Sequence, residues 1–270
     1  MDAPNAYTSG HHESVLATHR RRTIANSAQY LEPQLTMGRT LLDVGCGPGT
    51  ITIEFGARVG DANVVGVDMA EAAIAAARTH AADVGSTVRF ERANATGLPF
   101  DDNSFDIVHT HQTLQHVPDP VAMLREMGRV ARPGGVVAAR EVDYAATTWF
   151  PELPGLAQWL ELYRRVHRAT SGEPDAARRL VSWARAAQLH ELHLSASAWV
   201  FATPAERNWW GEAWAERALE SDFARQAVDG GHAQISELRA ISDAWREWTR
   251  HDDGWFSMTH GELLAAPPPG

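Results

Sequence analysis

The sequence predicts an α/β fold with a mostly parallel sheet covered by helices on both faces. Three observations lead there. From residue 40 onward, short apolar runs alternate with stretches of helical spacing about ten residues long. The first of these runs ends in a glycine turn that opens a helix. The chain has 270 residues, 44% of them hydrophobic and 21% charged, which is enough to bury a large core.

Each element follows from its residues. Residues 40–44 form a short buried strand, 45–49 the turn, and 50–59 a helix with Ile51, Ile53, Phe55 and Val59 at helical spacing. Residues 64–68 read as a second strand, 71–82 as an alanine-dominated helix, 87–92 as a third strand and 105–110 as a fourth. Asp119 and Pro120 supply an N-cap and a helix-start proline. The helix that follows carries Val121, Leu124, Met127 and Val130 on one face. Pro133-Gly134-Gly135 ends it before a fifth strand at 136–142.

Beyond residue 145 the pattern is mainly helical, with helices expected over 156–168, 175–187, 205–227 and 235–250. Strands are expected over 189–201 and 255–264. All ten tryptophans lie after residue 148, so the two halves are built differently. Upstream, residues 13–31 read as an amphipathic helix that would cover the site. The expected organisation is an N-terminal helical cover (1–35), one domain (36–265) and a frayed tail (266–270). Within that domain lie a cofactor half (36–145) and helical acceptor-side elaborations at 146–188 and 203–250.

Charge and cysteine content narrow the function. With 34 acidic and 24 basic side chains the formal charge is -10, which argues against nucleic acid, whose phosphates call for clustered Lys and Arg. No run of ~18 apolar residues occurs, so no membrane span is expected. A single cysteine, Cys46, excludes an intramolecular disulfide, and the first residues lack the pattern of a signal peptide. The expected location is cytoplasmic, as a monomer or homodimer.

Chemistry concentrates in Leu41-Leu42-Asp43-Val44-Gly45-Cys46-Gly47-Pro48-Gly49-Thr50. Glycines at alternate positions permit positive φ and close approach of a ligand, and the helix that follows offers unpaired N–H groups. This is a nucleotide cradle that takes in Cys46 and Thr50. The spacing departs from the dinucleotide fingerprint, because Thr50 stands where its third small residue belongs. Asp68 ends the second strand nineteen residues after Gly49, where a carboxylate accepts from both hydroxyls of a ribose.

Together with Ala93-Asn94-Ala95-Thr96-Gly97-Leu98-Pro99-Phe100, Asn103-Ser104-Phe105-Asp106, Leu114-Gln115-His116-Val117-Pro118-Asp119-Pro120 and Arg129-Val130-Ala131-Arg132-Pro133-Gly134-Gly135, this motif carries a resemblance. Residues 40–145 resemble a class I S-adenosylmethionine-dependent methyltransferase, of the group that includes the ubiquinone and menaquinone biosynthesis methyltransferases. The resemblance implies a Rossmann-like, mostly parallel seven-stranded sheet. It also implies S-adenosyl-L-methionine as cofactor, S-adenosyl-L-homocysteine as product, and in-line methyl transfer, while the ten tryptophans after residue 148 and the acidic balance point to a small, apolar or aromatic acceptor.

By the same resemblance Asp43, Gly45 and Gly47 surround the methionine moiety, and Asp68 and Met69 the ribose and adenine. Asn94 and Ala95 meet the adenine edge, and His111 and Gln112 line the methionine side. Two departures stand out. Asn94 occupies a position where the group commonly has aspartate, and a long helical stretch separates the last two strands.

Candidate catalytic groups are His111 first, then His116, His19 and Glu141, should the acceptor need to lose a proton. Tyr7, His19 and Arg22 in the N-terminal cover, and Tyr144 after the fifth strand, are candidate substrate or cofactor-carboxylate contacts. Cys46 sits in a tight turn where a small side chain suffices, and no partner base is evident from the sequence. His109, His111 and His116 lack the i, i+4 spacing of a helical zinc pair, so no metal is expected. Two rival readings are a protein that binds the cofactor without catalysis, and an NAD-dependent oxidoreductase.

Overall fold

The computed structural model describes residues 21–269. Two compact units divide them: a sheet unit of residues 21–141, 176–197 and 261–269, and a tryptophan-rich unit of residues 142–175 and 198–260.

In the sheet unit the first strands are β1 (Leu41–Val44), β2 (Val64–Asp68), β3 (Arg89–Arg92), β4 (Phe105–His111) and β5 (Ala131–Val142). The last residue of β5, Val142, belongs to the other unit, and two further long strands, β7 (His190–Phe201) and β8 (Trp255–Ala266), have residues in both units. The strand order is β3-β2-β1-β4-β5-β8, with β7 paired to β8. β1 pairs in parallel with β2 and β4, β2 with β3, and β4 with β5. Parallel pairing brings the carboxyl ends of β1 to β5 to one edge, and the order reverses between β1 and β4, where ligands of open α/β sheets collect.

Side-chain alternation sends these strands into two cores. Leu42, Val44, Val65, Val67, Val108 and Val137 pack with α3 (Pro120–Val130) through Met123, Leu124 and Met127, and with α5 (Leu180–Ala186). Leu41, Val64, Ile107 and Ala138 pack on the other side with α1 (Thr50–Val59) and α2 (Glu71–Asp83). Ile24, Ala28 and Leu31 join this second core, which covers the sheet.

Several expectations change. Of the helix read over 13–31, residues up to 20 lie outside the described residues. The remainder is a five-residue π turn, Ile24–Ala28, followed by a 3-10 segment, Gln29–Gln34, that contains Pro33. Proline lacks the N–H that a continuing α ladder would use. Pro133-Gly134-Gly135 lies inside β5, which starts directly after α3, and a register shift at Phe105/Ile107 accommodates it. A Cβ at Gly135 would stand 2.8 Å from the Asp106 carbonyl oxygen, so the glycine permits this close approach.

The tryptophan-rich unit holds β6 (Thr148–Phe150), α4 (Pro154–Ala169), α6 (Pro204–Glu220), α7 (Asp222–Asp229) and α8 (Ile235–Thr249). β6 pairs antiparallel with residues 255–257 and brings the strands among the described residues to eight, not the expected seven. The single helix expected over 205–227 breaks at Ser221, whose backbone is extended and whose hydroxyl accompanies its N–H in donating to the Arg217 carbonyl. Eight of the ten tryptophans belong to one aromatic core or pack against it. At its centre Trp159 meets Trp214 and Trp245 edge-on, with centroids 4.6 and 4.9 Å apart. The other two are Trp183, which packs in the sheet unit, and the exposed Trp255.

Candidate functional site

The site is built at the carboxyl edge of the sheet unit, beginning with the turn after β1. Gly45 and Gly49 both have φ +77, a left-handed conformation that side chains resist. A Cβ at Gly45 would overlap the Thr113 hydroxyl, and one at Gly49 would lie 2.7 Å from the Phe90 ring. Backbone N–H groups of Gly45 and Cys46 donate to the Val67 carbonyl at 2.8 and 3.0 Å, which fastens the turn to β2.

Asp68 completes the cradle. One carboxylate oxygen accepts from Gly47 N at 3.0 Å and the other from Ala70 N at 2.9 Å. The residue is partly exposed, and each oxygen keeps a lone pair for a ligand. Met69 beside it is 49% exposed, an apolar surface suited to a flat base. Ala93 N donates to the Asp68 carbonyl at 3.0 Å, so the loop bearing Asn94 and Ala95 lies next along the edge.

Asp43 is more deeply engaged than the sequence suggests. It is buried, accepts from Thr52 Oγ1 at 2.6 Å, and lies 2.8 Å from His109 Nδ1. His109 is wholly buried, with its ring edge-to-face against Phe55 at 5.0 Å. Asp43 therefore fixes the junction between strand, turn and helix. Cys46 has its thiol pushed well up by burial and by the nearby Asp43 and Asp68 carboxylates, the reverse of an activated nucleophile. Among the described residues no group of three or more His, Cys, Asp or Glu could hold a metal ion.

Past β4 the chain bends sharply. His111 is buried at the strand end, and Gln112 takes φ 52 with its N–H donating to the Arg140 carbonyl at 2.8 Å. Arg22 Nη2 donates to Gln112 Oε1 at 2.9 Å, so this member of the N-terminal cover reaches the site. His116 closes a short 3-10 turn, Leu114–His116.

Glu141 governs that turn. Its Oε1 accepts from Thr113 N at 2.8 Å and Leu114 N at 2.7 Å. Oε2 is buried and has no hydrogen-bond partner among the described residues. Burial pushes the carboxyl up to about 8, outweighing the pull of the backbone N–H groups and of Arg22.

On the opposite side of β5, Arg140 is buried among residues from distant segments. Its Nε and Nη2 donate to Ser197 Oγ at 3.2 and 3.1 Å, and its Nε lies 3.4 Å from Glu262 Oε1. Ser195 Oγ donates to Glu262 Oε2 at 2.6 Å. Burial pushes the guanidinium down to about 10. The Tyr30 hydroxyl, raised by burial and lowered by Arg140, has no hydrogen-bond partner among the described residues. Tyr30, Arg140, Ser195, Ser197 and Glu262 were not singled out by sequence reasoning, and no local motif links them.

Of the remaining candidates, Tyr7 and His19 lie outside the described residues. Tyr144 belongs to the aromatic core of the other unit, its ring 4.5 Å from that of Tyr163.

Comparison with known proteins decides the family. Residues 35–194, more than half the chain, match the family model described as a methyltransferase domain. The chain belongs to this methyltransferase family. A Schizosaccharomyces pombe protein named as an uncharacterized methyltransferase is 34% identical over 96% of this chain and 95% of its own length. A demethylmenaquinone methyltransferase of Shouchella clausii is 37% identical over 43% of this chain and 50% of its own. The solved phosphoethanolamine N-methyltransferase 2 of Haemonchus contortus, in complex with phosphomonomethylethanolamine and S-adenosylhomocysteine, shares the fold. Its TM-score is 0.55 at 16% identity, over 89% of this chain and 52% of that one.

The methyltransferase fold is thus the mixed α/β arrangement that the alternating pattern predicts, with a largely parallel sheet. No helix among the described residues of this methyltransferase is long and apolar enough to cross a membrane.

Proposed function

We propose that this methyltransferase uses S-adenosyl-L-methionine, releases S-adenosyl-L-homocysteine, and acts on a small apolar or aromatic acceptor. The observation that carries the cofactor assignment is the Asp68 carboxylate, held by Gly47 N and Ala70 N directly over the glycine turn. A carboxylate fixed this way and partly exposed is preorganised for the two hydroxyls of a ribose. Met69 and the Asn94–Ala95 loop then serve the base, while Gly45, Cys46, Gly47 and Thr50 cradle the amino-acid end. Asp43 acts through the turn it anchors, and His111 and Gln112 close the far side.

Bound S-adenosyl-L-methionine supplies an activated methyl group, so the protein's task is to orient the acceptor and, for an O–H or N–H acceptor, remove a proton. Glu141 suits the second task best. One oxygen is anchored by two backbone N–H groups, the other is buried and unpartnered among the described residues, and the carboxyl titrates near 8. His111 and His116 are the other titratable side chains at this end of β4. The single cysteine, half-buried and weakly acidic, suits a reducing compartment, and we place the protein in the cytoplasm.

Calorimetric titration with S-adenosylhomocysteine tests the cofactor site. Asp68→Ala removes charged hydrogen bonds and is expected to weaken binding by about 1.5 to 3 kcal/mol, roughly 10- to 150-fold. Equal affinities for wild type and variant would overturn the assignment.

A further inference from the structure

We propose that Asn94 presents a hydrogen-bond donor, not an acceptor, to the base of the cofactor, and that the site therefore discriminates weakly at the purine 6-position. This rests on the cofactor reading above, which sets the base beside Met69 and the loop after β3.

One end of the Asn94 amide is already committed within its own loop. Asn94 Oδ1 accepts from Thr96 N at 3.1 Å and from Thr96 Oγ1 at 3.0 Å. A backbone N–H can only donate, so the atom facing it must be the amide oxygen. The loop is closed further by Gly97 N, which donates to the Asn94 carbonyl at 3.1 Å, and by a bridge pairing Asn94 with Gly97. What remains for a ligand is the amide NH2, which donates only.

An aspartate in the same turn would satisfy Thr96 with one oxygen and keep the second as an acceptor. The difference is chemical, not steric, because the two side chains have nearly the same shape. The exocyclic amino group of adenine is a donor. Facing an aspartate oxygen it gains a charge-assisted bond, whereas facing the Asn94 amide nitrogen it gains none, and the amide then has only the neighbouring ring N1 to donate to. A 6-oxo group, as in hypoxanthine, accepts from that nitrogen. Asn94 is exposed, so the substitutions below do not disturb the core.

Calorimetric titration with S-adenosylhomocysteine and S-inosylhomocysteine, on wild type, Asn94→Asp and Asn94→Ala, tests the proposal. Wild type is expected to bind the two within about threefold of each other, and Asn94→Asp to favour the adenosyl compound by about tenfold or more. Asn94→Ala is expected to lose about three- to tenfold in affinity for both compounds, because the 6-oxo group and the adenine ring N1 each accept from the same amide nitrogen. A wild-type preference for S-adenosylhomocysteine of about tenfold or more, left unchanged in Asn94→Asp, would overturn the proposal. Failure of wild type to bind either compound would instead overturn the cofactor reading, and this inference with it.

Discussion

Replacing Glu141 by Gln isolates a buried carboxyl whose titration is coupled to folding. In the folded protein burial raises this group from 4.5 to about 8. Between those values the folded state holds a proton that the unfolded state has released. The stabilisation is complete below about pH 4.5 and is lost as pH rises through about 8, at up to about 1.4 kcal/mol per pH unit. Over the whole window this amounts to roughly 5 kcal/mol, and between about pH 5.5 and 7.5 to roughly 3 kcal/mol. Glutamine keeps an oxygen for the Thr113 and Leu114 N–H groups and does not titrate. Urea denaturation of both proteins at about pH 5.5, 6.5 and 7.5 should therefore show wild type losing roughly 2 to 3 kcal/mol relative to Glu141→Gln. Other titrating groups cancel in the difference. Parallel stability–pH curves would refute the reasoning, because they would mean that the carboxyl ionises alike folded and unfolded.

Two further outcomes follow from packing. Gly45→Ala forces a side chain into a φ +77 backbone against the Thr113 hydroxyl, and is expected to cost about 2 to 4 kcal/mol by chemical denaturation. Trp214→Ala empties a buried position that meets Trp159, Tyr163 and the Arg217 guanidinium; denaturation should give a loss of about 3 to 5 kcal/mol.

The parts of this molecule legible in its sequence are those where neighbouring residues dictate the backbone. The glycine turn, Asp68 at the end of β2 and the proline-started α3 all follow from spacing, and the sheet order then needs only parallel pairing and short connections. Breaks inside helices were less legible. Nothing in the alanine- and tryptophan-rich run over 205–227 distinguishes Ser221 from an ordinary helical serine, whose hydroxyl also donates to the carbonyl four residues back; the extended backbone at Ser221 is what breaks the helix.

Arg140 and Glu141 make the deeper case. In the sequence they are adjacent opposite charges near the end of a strand, where Glu141 stands out only as one of several candidate bases and Arg140 not at all. Strand alternation separates them: Arg140 meets Ser197 and Glu262, while Glu141 meets the N–H groups of Thr113 and Leu114. Each is buried, and each shifts toward its neutral form because the desolvation of a charge exceeds what its partners return. Those partners come from residues 113–114, 197 and 262, so no window of sequence contains the environment that sets either pKa. Local spacing could therefore indicate where a nucleotide binds and which groups are candidate bases, whereas the environment that favours Glu141 among them forms only once distant segments have closed around it.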